Sequence, residues 1–136
     1  MKKIPLGFSL IELLIALAII ATLSTWAWPN YQLTVMRSQR VQARNGLMLL
    51  AHWLERSATS SGKYPDSKTI PSGLLQTQGG HYLLQVQVQA DAQTYLLKAV
   101  PQQQQVLDAC GSFTLNHLGE RGVQNASQSS LQCWAR

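Results

Sequence analysis

The sequence predicts an α+β protein, a long kinked N-terminal helix packed on a small antiparallel β-sheet and closed by a C-terminal disulfide loop. Three observations predict it. Apolar residues are concentrated in one segment near the start, helical periodicity resumes beyond Pro29, and from His81 the apolar period changes to two. A length of 136 residues suits one small domain with an appendage and excludes a large multidomain enzyme. The chain is 46% hydrophobic but only 12% charged, about half the charge of an ordinary soluble domain, so the location of the apolar residues decides the class.

They lie in the first helix. Sixteen of the 21 residues at 8–28 are apolar, against 43 of the 108 that follow. A helix of that length, rising about 1.5 Å per residue, matches the hydrocarbon thickness of a bilayer. Lys2 and Lys3 precede it, which keeps the extreme N-terminus cytoplasmic and sends everything after Trp28 to the opposite compartment. Trp26, Trp28 and Tyr31 stand where amphipathic rings favour the membrane interface.

A secretory signal peptide also has a basic start and an apolar stretch. This run is longer than a usual signal core, no clear A-x-A site closes it, and it contains a lone carboxylate, Glu12. An ionised group in hydrocarbon is costly without a partner. The residues around it are Lys2-Lys3-Ile4-Pro5-Leu6-Gly7-Phe8-Ser9-Leu10-Ile11-Glu12. This segment resembles the class III signal of type IV pilins and pseudopilins: a basic leader, a glycine, a phenylalanine, and a glutamate at the fifth mature position.

The resemblance implies that a prepilin peptidase cuts between Gly7 and Phe8 and N-methylates Phe8. The leader is then residues 1–7, and residues 8–28 first anchor the chain in the membrane and later pack in a filament core. Glu12 acquires a role as well. The new amine on Phe8 is cationic at membrane depth, and a carboxylate on a neighbouring subunit's helix neutralises it. The implied partners are other pilins, major and minor, the peptidase, an inner-membrane assembly platform and membrane lipid. The implied place is the bacterial inner membrane with residues 29–136 as a periplasmic head, then an extracellular pilus.

Pro29 removes a backbone donor and clashes with the preceding turn, so a kink or break is expected over 25–28. A stalk helix is expected over 30–57, with Met36, Ala43, Leu47, Leu50, Ala51 and Leu54 on one face. Residues 57–61, with Gly62 and Pro65 beyond, should end it. Arg37, Arg40 and Arg44 make a basic stripe on this helix. Such a stripe serves nucleic acid through phosphate contacts, or it is a solvated, inter-subunit or lipid-facing surface. No aromatic interleaves the three arginines, which favours the second reading.

In the sheet region, expected over 81–136 together with the C-terminal loop, Tyr82, Leu84, Val86 and Val88 alternate with glutamines as a half-buried strand. Residues 90–93 form a turn and 94–100 its hairpin partner. Pro101 and the glutamines at 102–105 then stop the strand as an exposed loop. A third strand follows over 110–115. Cys110 and Cys133 lack the close spacing of zinc or redox motifs, and outside the cytoplasm a disulfide is the economical reading. The segments Ala109-Cys110-Gly111-Ser112-Phe113-Thr114-Leu115-Asn116, Leu118-Gly119-Glu120-Arg121-Gly122 and Cys133-Trp134 resemble the carboxyl end of PilE-like type IVa minor pilins. The resemblance makes the loop a D-region for subunit or ligand contacts.

Catalysis finds no support. His52, His81 and His117 are isolated, the six acidic residues are scattered, and no glycine-rich phosphate loop follows a strand. No catalytic, cofactor-binding or metal-binding residue is assigned, and no cofactor is expected. The reading is a non-enzymatic minor pilin that acts in pilus assembly, initiation or a tip complex. The alternatives are a competence pilin that binds DNA, and a type II secretion pseudopilin.

Overall fold

A computed structural model of the chain describes residues 8–135. The order of elements is a long helix α1 (Leu10–Ser61), strands β1 (Tyr82–Val88), β2 (Tyr95–Pro101), β3 (Ser112–Asn116) and β4 (Arg121–Gln124), and a short helix α2 (Ser130–Trp134). Contacts divide the chain between Val35 and Met36. The first part is helix alone, and the second carries its own core.

α1 continues as helix through Pro29, so the interruption expected over 25–28 does not take the form of a break. Proline costs a helix one hydrogen bond and a steric clash, which neighbouring turns of a long apolar helix can absorb. At the other end α1 runs to Ser61, where Gly62 takes a left-handed φ of 69°. Glycine adopts that conformation without steric cost and so ends the helix.

From Met36 onward, α1 buries Ala43, Leu47, Leu50 and Leu54, four residues at helical spacing and each 0% exposed. They face the four-stranded sheet, an antiparallel meander in the order β1-β2-β3-β4. Its inner face carries Tyr82 and Leu84, then Tyr95, Leu97 and Ala99, then Phe113 and Leu115, all buried. The register aligns Val86 with Leu97, Leu97 with Leu115, and Phe113 with Val123, so the alternation read from β1 propagates across the sheet. Gly46 sets the closeness of helix and sheet: a Cβ there would lie 2.9 Å from Leu84 Cδ1. Between α1 and β1 the chain makes three short 3-10 turns, and Ile70 between the first two is buried.

Two elements went unread in the sequence. β4 holds one apolar side chain, Val123, and is kept in place by its ladder to β3. α2 starts at a capping box in which Ser129 and Gln132 each accept from the other's backbone N–H. Cys110 and Cys133 form the expected disulfide, their Cα atoms 5.6 Å apart, and both are buried.

The glutamine run also differs from expectation. Residues 102–105 are not simply an exposed loop, because Gln103–Leu107 is a 3-10 turn with Gln105 only 3% exposed. Its amide Nε2 donates to the Tyr82 hydroxyl at 3.1 Å, to Asp108 Oδ2 at 2.9 Å and to the Met36 carbonyl at 3.3 Å. A buried amide must find partners, and these three satisfy it.

Candidate functional site

The first candidate surface is α1 before Met36. Phe8 is 80% exposed, and Leu10, Ile11, Leu13, Leu14, Ile15, Leu17, Ile19, Ile20 and Leu23 are all more than half exposed. An 18-residue window of this helix has mean hydropathy 2.1 with none of it buried, and it is long and apolar enough to cross a membrane. Its hydroxyls do not oppose that. Thr22 donates to the Ile19 carbonyl at 2.8 Å, Ser24 to Ile20 at 2.7 Å and Thr25 to Thr22 at 2.7 Å. A hydroxyl satisfied by its own helix costs little in hydrocarbon.

Glu12 lies in the first turn of α1, exposed, and is the sole charged side chain between Phe8 and Arg37. A carboxylate there also favours the positive end of the helix dipole. Gly7, the residue expected before the cut, lies outside the described residues, whereas Phe8 is within them.

The second candidate surface is the arginine stripe, and the structure divides it. Arg37 is exposed. Arg40 Nε donates to Asp108 Oδ2 at 2.8 Å while Nη2 donates to Oδ1, a bidentate pair in which the carboxylate is buried. The bond to Asp108 raises the Arg40 pKa despite some burial. Arg44 Nη1 donates to the Trp134 carbonyl at 2.7 Å and also to the Ala135 carbonyl. Burial lowers its pKa, and the neighbouring charges of Arg40 and Arg121 add to the effect. Two of the three arginines therefore hold the head together.

The third is the carboxyl end. Trp134 stacks edge-on against Phe113 at 5.6 Å and donates from Nε1 to the Gly122 carbonyl at 2.9 Å. Arg121 lies over the same indole at 5.3 Å. Disulfide, indole and Arg44 thus fix α2 against β4 and α1. Beside them runs a groove of about 380 Å³, lined by Met48, His52, Glu55, Tyr95, His117 and Arg121 among others. It brings together His52 and His117, whose spacing along the chain signals no such proximity, while His81 lies elsewhere. Glu55 Oε1 accepts from the hydroxyls of Tyr64 at 2.9 Å and Tyr95 at 3.0 Å. Burial raises both phenol pKa values, and the bonds to Glu55 add to it. Among the described residues no group of three His, Cys, Asp or Glu side chains could hold a metal.

An unburied apolar helix with one carboxylate, joined to a helix-on-sheet head stapled at its carboxyl end, defines a type IV pilin. A solved type IV pilin from Shewanella oneidensis superposes with a TM-score of 0.56 at 30% identity, covering 74% of this chain and 99% of that one. The prokaryotic N-terminal methylation motif matches residues 6–28. The chain belongs to the family described as "Type IV minor pilin ComP, DNA uptake sequence receptor", whose model matches residues 29–114. Fimbrial protein EcpC from Eikenella corrodens is 29% identical over 133 residues, 98% of this chain and 84% of that protein.

Proposed function

We propose that this minor pilin works without catalysis in the assembly, initiation or tip complex of a type IV pilus. The carrying observation is the apolar helix with Glu12 as its one charge, none of it covered by the rest of the subunit. Prepilin peptidase cuts after Gly7 and methylates Phe8; the helix anchors the subunit in the inner membrane, with the head in the periplasm. At the assembly platform the Phe8 amine of one subunit and the Glu12 carboxylate of another neutralise each other, which sets register as the helix enters the filament. Glu12→Ala tests this. The variant should be processed normally yet be absent from sheared pili by immunoblot. Wild-type incorporation would remove the charge-pair mechanism.

A second reading, reception of DNA, is favoured by the description attached to the family model over residues 29–114. From Pro29 onward the chain has nine basic and five acidic side chains, net +4. Because Arg40 and Arg44 are engaged within the head, this reading rests on exposed cations such as Arg37, Lys63 and Lys68. The full chain in detergent should then bind duplex DNA with an affinity that falls steeply with salt. No binding at low salt would remove it. A deletion strain scored for pili, transformation and protein secretion separates the two readings, and also the secretion alternative.

A further inference from the structure

The groove between α1 and the β3–β4 hairpin collects charges that the head leaves unpaired. Among the described residues the one ion pair is Arg40 with Asp108, so Glu55 and Arg121, which both line the groove, form none. They stand at opposite ends of it. Arg121 is aligned with Leu115 in the sheet and lies near Arg44, whose pKa its charge helps to lower. Glu55 lies beyond Arg44 and Met48 along α1, bonded to the Tyr95 hydroxyl. Seven residues of helix separate Met48 from Glu55 and eleven separate Arg44 from it, so the two ends are about 10–16 Å apart along α1.

Between these ends the groove is apolar and its walls are fixed. Leu115 and Tyr95 are buried at its floor, while Met48 on α1 and Leu118 on the hairpin are 45% and 70% exposed. Asn116 holds Leu118 in that position: its Oδ1 accepts from the N–H of Leu118 at 3.1 Å and of Glu120 at 2.9 Å, and its Nδ2 donates to Glu120 Oε2 at 2.6 Å. The Arg121 guanidinium is held over the Trp134 indole, and two phenols fix Glu55 through Oε1, which leaves Oε2 open. Walls ordered in advance cost little to order on binding. A complementary segment carries an acidic side chain at the Arg121 end, a basic one at the Glu55 end and an aliphatic one between. In an extended chain, rising about 3.3 Å per residue, side chains at i, i+2 and i+4 share one face and span about 13 Å, which matches the groove.

We infer that this groove receives an extended segment of a different pilin subunit, whose acidic, aliphatic and basic side chains at i, i+2 and i+4 meet Arg121, the Leu115 floor and Glu55. The groove thereby selects a neighbour by the order of its charges, and the apolar rim at Met48 and Leu118 is covered in the pair. This rests on the reading of the chain as a subunit that assembles with other pilins.

The test begins with the full chain in detergent, titrated with the peptide acetyl-Asp-Ser-Leu-Ser-Lys-amide and followed by the methyl resonances of Met48 and Leu118. The shifts should saturate, and acetyl-Lys-Ser-Leu-Ser-Lys-amide should bind several-fold more weakly. Arg121→Glu should reverse that order, a gain that a folding defect cannot mimic. Shifts that do not saturate, or a preference that Arg121→Glu leaves unchanged, would overturn the groove. In cells, the photo-reactive residue p-benzoylphenylalanine placed at Leu118 should cross-link to a different pilin, through a segment with this charge order, and the same residue at the exposed Gln87 should not. An adduct with a second copy of this chain, or with a protein that is not a pilin, would overturn the partner assignment. Recovery of the Leu118 variant in sheared pili with no adduct would overturn the groove alone. Absence of the wild-type chain from pili, together with normal piliation of a deletion strain, would overturn the subunit reading and the inference with it.

Discussion

Arg40 on α1 and Asp108, 68 residues further along, meet in a bidentate pair just ahead of the disulfide at Cys110. The pair joins α1 to the segment between the 3-10 turn at Gln103–Leu107 and β3. Removing one partner strands the other charge in a buried place, which costs about 3 kcal/mol or more, whereas replacing both with apolar groups costs far less. Arg40→Met should therefore lower the urea midpoint of the detergent-solubilised chain substantially. The double variant Arg40→Met with Asp108→Leu should recover much of the loss.

Gly111 tests backbone crowding. Its φ is +55°, and an added Cβ would lie 2.4 Å from the Gln124 carbonyl oxygen and 2.6 Å from that of Asn125. Neither carbonyl can move without disturbing the end of β4. Gly111→Ala should cost upwards of about 2 kcal/mol, combining left-handed strain with overpacking. Gly119, at φ +77° with nothing within 4 Å of an added Cβ, bears only the strain. Gly119→Ala should cost about 1 kcal/mol, and the same denaturation measurement ranks the two.

The disulfide holds α2 where hydrophobic contact is sparse. Cys110→Ser with Cys133→Ser should destabilise the head by about 3 kcal/mol, as expected from the entropy of closing a loop of this size. The near-UV circular dichroism of Trp134 should weaken, because its edge-on contact with Phe113 and the Arg44 bond to its carbonyl depend on the same segment.

Tyr82 is 0% exposed, and burial pushes its phenol up to about 12, with the carboxylate of Asp108 adding to the shift. The folded state therefore holds this proton more tightly than the unfolded chain, where the value is about 10. The stabilisation is fully present below pH 10 and is lost as the pH rises from about 10 to 12. By linkage the loss amounts to about 2–3 kcal/mol for this group. Alkaline titration of stability should fall steeply in that window, and Tyr82→Phe should flatten it. A residual slope should remain, since Tyr64 and Tyr95 are also raised by burial and by Glu55. At neutral pH the same variant should lose about 1 kcal/mol through the missing partner of Gln105.

What the sequence determined by itself was local or periodic. Residues 8–28 are legible as a helix long and apolar enough to cross a membrane because hydropathy and length need no tertiary partner, and the N-terminal methylation motif over residues 6–28 is local in the same way. Leu47, Leu50 and Leu54, and the alternation from Tyr82, are legible because one element's period shows which face it buries. The charges could not be read so. Arg40 and Arg44 look like a continuing basic stripe with Arg37 until Asp108 and the carbonyl of Trp134, 68 and 90 residues away in sequence, come to meet them. Gln105 reads as one glutamine in a polar run, yet it is buried because Tyr82, Asp108 and the Met36 carbonyl surround its amide. β4, with Val123 as its one apolar side chain, exists because β3 offers a ladder and α2 covers its end. Periodicity is a property of a segment and survives in the one-dimensional chain. Whether a polar group is free or spent depends on partners that only folding brings within 3 Å or so, and that alone turned two arginines of an apparently continuous basic stripe into structural bolts.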